Sequence, residues 1–195
     1  MLIWINGMFG VGKTQTANEL RQRLPGSTIA DPELPGIGVQ RMYPVTLRSD
    51  FQESEWWAPL ITTVLVDLAE RHPGPILVPM TITDRRLMDS IVGGLRGAGH
   101  DVRHVTLLAA RETIAGRLRK RLDGPKSWAA QQFDTRAALL EDPAFATHID
   151  TTGRSIANVA EAVAGETGLQ LGPRERNPLR SARRRAAGWS AALRG

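Results

Sequence analysis

Residues Gly7-Met8-Phe9-Gly10-Val11-Gly12-Lys13-Thr14 form a complete G-x-x-x-x-G-K-[ST] loop directly after the apolar run Leu2-Ile3-Trp4-Ile5. Such a loop works only between a buried strand and the helix it feeds, so it constrains the fold more than any other segment. Its glycines let successive backbone N–H groups curl around an anionic oxygen without Cβ clashes. Lys13 is placed to reach the β- and γ-phosphates and Thr14 to offer its hydroxyl to Mg²⁺, while the helix N-terminus adds a favourable dipole. The expected contacts to a nucleoside triphosphate, ATP, are Gly7, Phe9, Gly10, Val11, Gly12, Lys13, Thr14 and Gln15.

The rest of the chain alternates strand and helix patterns, which predicts a three-layer α/β fold with helices on both faces of a parallel sheet of about five strands. Strands are expected at 2–6, 28–30, 75–80, 102–108 and 148–150. Pro79 cannot donate a ladder bond and marks the exit of the third strand. Helices are expected from Lys13 to about Leu24, around Leu87–Leu95 and Ile114–Leu122, through Leu140 after a Ser127 cap, and from Ser155 through Val163. Residues of about 33–72 read as a mostly helical insertion, and about 117–132 as a lid.

The chain of 195 residues carries no cysteine, which excludes disulfides and thiolate metal sites. Nothing at the N-terminus reads as a secretory signal, and no apolar run reaches the length of a membrane span, so a cytoplasmic protein is expected. The net charge of +5 is local: residues 173–195 hold seven arginines against Glu175, a net of +6, leaving −1 for residues 1–172. A nearly neutral domain does not read as a nucleic-acid binder. The tail, 173–195, is either a basic amphipathic helix or disordered. As a helix, 179–194 would carry Leu179, Trp189 and Leu193 opposite arginines and could touch an anionic inner membrane face. Monomer and homodimer remain open.

Neither an Asn-Lys-x-Asp guanine-reading motif nor a Leu-Ser-Gly-Gly-Gln signature is present, and the chain is short for a motor or transporter ATPase. A phosphate-loop kinase for nucleotides or small molecules remains. In that type, Arg117 and Arg121, four apart on one helix, are the candidate lid cations for charge on the transferring phosphoryl group.

Several segments closely resemble the tunicamycin-resistance ATP-binding family. They are Ile3–Gly7 through Gly12–Ala17, Asp31-Pro32-Glu33, Asp50-Phe51-Gln52, Val78–Ile82, Arg117–Arg121, Ser127–Gln131 and Ser155-Ile156. They span about residues 1–165. The resemblance implies resistance to nucleoside antibiotics that mimic a UDP-sugar, through phosphorylation of a drug hydroxyl or through ATP-dependent sequestration. A metabolic small-molecule or nucleotide kinase is the remaining alternative.

A kinase needs a carboxylate near the acceptor hydroxyl, and Asp31, at the C-terminal end of the second strand, is the expected base. No acidic residue directly ends the strand at 75–80, so the metal partner of Thr14 is expected to be Asp31 or Asp84. A nucleoside base stacks on aromatic faces and is read by amide and carboxylate groups. The acceptor pocket is therefore assigned to Asp31, Asp50, Gln52, Trp56 and Trp57, with Arg41 for a diphosphate.

Overall fold

The computed structural model describes residues 1–120, 133–145 and 147–174. The chain runs β1 (Leu2–Gly7), α1 (Lys13–Arg23), β2 (Thr28–Ile29), α2 (Glu33–Gln40), α3 (Trp57–Arg71) and β3 (Ile76–Pro79). It continues with α4 (Arg85–Gly97), β4 (Val102–Leu108), α5 (Arg111–Lys120), α6 (Phe133–Leu140), β5 (His148–Asp150) and α7 (Ile156–Thr167). Arg121, Lys126, Ser127, Trp128 and the tail segment 179–194 lie outside the described residues.

The five strands form one parallel sheet in the order β2-β3-β1-β4-β5. β1 is central and buried along its length, as an apolar run flanked by two parallel neighbours must be. Burying Trp4 and Ile5 contributes about 1.5–3 kcal/mol each. β3 ends at Pro79, opposite Ile5, so the missing N–H falls where pairing stops.

The right-handed crossover rule sends α1 over one face of the sheet and α3 and α4 over the other. Leu20 of α1 and Ile61, Leu65, Ile91 and Leu95 of α3 and α4 fill the layers. The connections after β1 and β4 leave in opposite directions along the sheet. The crevice at their carboxyl ends is where such folds bind ligands, and the phosphate loop lies there.

Between α2 and α3 the insertion is less regular. Two short 3₁₀ turns, Val45–Leu47 and Phe51–Glu53, carry the chain back to α3. The expectation of a mostly helical segment holds at its two ends.

Candidate functional site

The phosphate loop is shaped by close contact with β4. Gly7 has φ 138°, and a Cβ there would lie 2.6 Å from the Leu107 carbonyl oxygen. Gly12 has φ 111° at the mouth of α1. Both positions require glycine, because the left-handed region strains any residue with a Cβ.

Hydrogen bonds from three directions hold the loop. The Asn6 side chain, fully buried, accepts the N–H of Gly7 and of Ile82 at 2.9 Å each and donates to the Ile82 carbonyl at 2.9 Å. It ties the loop to the segment leaving β3. Lys13 is 8% exposed. Its ammonium donates to the Gly7 carbonyl at 2.9 Å and the Met8 carbonyl at 3.1 Å, and lies 5.4 Å from the centre of the Phe9 ring. From α5, Arg117 donates to the Val11 carbonyl at 2.7 Å and to the Thr151 hydroxyl and carbonyl at 3.1 Å each. Arg117 thus braces the loop against the segment that follows β5. Val11 is buried, with its N–H turned to the Met8 carbonyl. Thr14, by contrast, is exposed at the first turn of α1.

At the loop residue Phe9 opens a cavity of about 500 Å³, lined also by Glu33, Gln40, Arg48, Ser49, Asp50, Phe51 and Gln52. Three carboxylates meet around it. The Asp31 carboxylate accepts the Glu33 N–H at 3.0 Å, which fixes the start of α2. Burial raises its pKa above the usual aspartate value, against the pull of that N–H and of Lys13. Glu33 is raised as well, by burial first and by the charges of Asp31 and Asp50, with Lys13 opposing. Among the described residues the Glu33 carboxylate has no hydrogen-bond partner. Asp50 accepts the Gln52 N–H at 3.1 Å and pairs with Arg136 of α6 at 3.3 Å, with both side chains about four-fifths buried. Carboxylates raised in this way hold a proton more readily than exposed ones.

Several expected site residues sit elsewhere. Trp57 is 0% exposed and packs on Phe51, with ring centres 5.5 Å apart, so it belongs to the core and offers no face to a base. Trp56, its half-buried neighbour, packs against the same core and does not line the cavity. Arg41 points outward, exposed, one residue beyond the cavity wall. Asp84 is the N-cap of α4: its carboxylate accepts the N–H groups of Arg86 at 2.7 Å and Leu87 at 3.3 Å, which gives it a capping role. Beyond β3, where a metal-holding carboxylate would stand, is buried Thr81, whose hydroxyl donates to the Gly7 carbonyl at 2.8 Å.

Asp50 and Gln52 do face the cavity, with Asp31 beside it. Glu33, Arg136 and Thr81 were missed. The signal for Glu33 was present: two residues after Asp31, it stands on the first turn of a helix whose start the aspartate holds. No local pattern announces Arg136 or Thr81, because each meets its partner across more than 70 residues.

A family model described as an AAA domain matches residues 2–143. The solved structure of the tunicamycin resistance protein of Deinococcus radiodurans is 35% identical over 89% of this chain and 99% of its own, with a TM-score of 0.76. The chain belongs to the tunicamycin-resistance family of phosphate-loop proteins. Among curated protein sequences none matches it.

Two kinases share the family's fold at lower identity. A sugar kinase from Janibacter sp. is 19% identical, covering 86% of this chain and 94% of its own, at a TM-score of 0.62. The APS kinase of Mycobacterium tuberculosis, solved with AMPPNP and APS, is 17% identical over 86% and 96% at 0.60. This family member therefore has a kinase-like phosphate-loop fold, which implies nucleotide binding. No helix among the described residues is long and apolar enough to cross a membrane.

Proposed function

We propose that this protein is an ATP-dependent phosphotransferase that phosphorylates a hydroxyl of a tunicamycin-like nucleoside antibiotic and so confers resistance. One observation carries the reading: a partly buried glutamate, with no hydrogen-bond partner among the described residues, lines a cavity of ligand size within electrostatic reach of the phosphate-loop lysine. The donor phosphate and a hydroxyl acceptor can then meet between Lys13 and Glu33. The 35% identical tunicamycin resistance protein supplies the class of acceptor.

Each residue has a distinct task. The loop amides and Lys13 bind the phosphates, and Lys13 follows the charge that develops on the transferring group. Glu33 accepts the hydroxyl proton. Asp31, engaged by the Glu33 N–H, holds that segment in place and keeps a second negative charge nearby. Gln52 and Asp50 read the polar edges of the acceptor, and Arg48 stands at the rim for an anionic group. Mg²⁺, where bound with ATP, would offset phosphate charge. The exposed Thr14 hydroxyl, which has no hydrogen-bond partner among the described residues, fits a role in holding it with the nucleotide.

Incubation with ATP, Mg²⁺ and a panel of tunicamycin-like nucleosides tests this by mass spectrometry. A product heavier by one phosphoryl group is expected, and unmodified drug across the panel overturns the reading. The hydroxyl at Thr81, where a carboxylate commonly assists the metal, favours a second reading in which the protein sequesters drug with ATP as a bound ligand. The two separate at Glu33→Gln. A kinase loses turnover while still binding ATP, whereas a sequestering protein protects cells almost undiminished.

A further inference from the structure

The Gly7 carbonyl accepts two hydrogen bonds, one from Lys13 at 2.9 Å and one from the Thr81 hydroxyl at 2.8 Å. Thr81 lies two residues beyond the end of β3 and is fully buried. Its neighbour Ile82 is clamped on both backbone groups by the Asn6 amide, so the segment that presents the hydroxyl is held against the loop at two adjacent points.

This double acceptance matters when a phosphate arrives. An ammonium that turns to a phosphate oxygen has to weaken or surrender its bonds to the Gly7 and Met8 carbonyls. In a buried site a carbonyl left without a donor opposes the change, since it has given up water and regains nothing. The Gly7 carbonyl does not face that loss, because a second donor is already in place.

We propose that Thr81 is a positioning residue for nucleotide binding: its hydroxyl keeps the Gly7 carbonyl paired and so frees Lys13 for the phosphates. It acts through the loop and touches neither the acceptor nor the reacting atoms. The inference rests on the nucleotide-binding part of the proposed function and is independent of which drug, if any, is phosphorylated.

The experiment compares wild type, Thr81→Val and Thr81→Ser without acceptor, measuring ATP affinity by calorimetry and melting midpoints with and without ATP. In nucleotide-free Thr81→Val, Lys13 still pairs the Gly7 carbonyl, so the midpoint falls little. With ATP the carbonyl loses its donor. An increase of about tenfold in the ATP dissociation constant is expected, equivalent to about 1.4 kcal/mol, with a smaller ATP-induced rise in midpoint. Thr81→Ser, which keeps the hydroxyl, restores affinity to within about twofold.

ATP affinity of Thr81→Val within about twofold of wild type overturns the proposal. So does a Thr81→Ser variant as weak as Thr81→Val, since packing of the methyl would then be the cause. If Thr81→Val does not fold, Thr81→Ala against Thr81→Ser reads the same contrast. A wild-type protein that fails to bind ATP overturns this inference together with the nucleotide reading, whereas a wild type that binds ATP and leaves every drug unmodified overturns the kinase reading alone.

Discussion

At the phosphate loop, Asn6, Thr81, Lys13 and Arg117 all direct their side chains at the backbone, and the first three are buried. Across the cavity, in residues 33–52, Glu33 has no hydrogen-bond partner among the described residues, while Met42, Val45 and Leu47 lie exposed, Met42 by 82%. The difference is one of where stabilising energy is placed. A loop that must present amides to a phosphate is held before the ligand arrives, because preorganised dipoles need no rearrangement during reaction. An acceptor wall that leaves a group such as Glu33 for the ligand to pair does so at a cost in stability of the free protein.

Glu33→Gln tests the acceptor side most severely. Loss of a proton acceptor predicts a fall in turnover of about 10²- to 10⁴-fold with ATP affinity unchanged, read by steady-state kinetics and calorimetry. The same substitution removes a desolvated charge beside Asp31 and Asp50, so the thermal midpoint at pH 7 should rise. A variant that is both inactive and less stable would break the comparison, because Glu33 would then be structural.

Lys13→Ala comes next. Removing a charge that follows the phosphoryl group is expected to slow transfer by about 30- to 1000-fold, or about 2–4 kcal/mol. Protection of cells should disappear with it, and full protection would mean that the nucleotide site is not used.

Asn6→Ala should act on stability. It leaves the N–H groups of Gly7 and Ile82 without their buried acceptor, predicting a loss of about 3 kcal/mol in denaturant unfolding. A loss as small as that of a surface variant would show that the loop is not held through Asn6.

The scaffold under the loop has an acid limit. Burial, then Arg96 and His148, lowers the His104 pKa from 6.5 to about 4. Because the folded value lies below the unfolded one, this contribution to stability is full above pH 6.5 and is lost as pH falls toward 4, by up to about 3 kcal/mol. A His104→Asn variant should show a flatter dependence between those limits in thermal scans.

The smallest effect is expected for Met42→Ser. An exposed side chain on the insertion should change stability by no more than about 0.5 kcal/mol in the free protein. A larger loss would show that this region packs more tightly than its exposure implies.

The sheet was legible because its determinants are local. The apolar run at 2–5, the glycine-lysine loop, Pro79 as a strand exit and the Ser155 cap, whose hydroxyl accepts the Asn158 N–H at 3.2 Å, each act within a few residues. The acceptor site was legible only in part. Trp56 and Trp57 are adjacent in sequence, yet the entry of α3 turns Trp57 wholly into the core. The charge of Asp84 suggests a metal ligand, while its place one residue before a helix gives it unpaired N–H groups to accept.

By itself, then, the sequence determined a parallel α/β domain with a phosphate loop, since a strand, a glycine turn and a helix in that order leave little else to build. Tertiary structure alone decided that Arg117 braces the loop, that Arg136 meets Asp50, and that Thr81 shares the Gly7 carbonyl with Lys13. Those pairings join residues 34 to 106 positions apart. Their geometry depends on how the strands are ordered and on which way each helix crosses the sheet, and no short-range pattern encodes that.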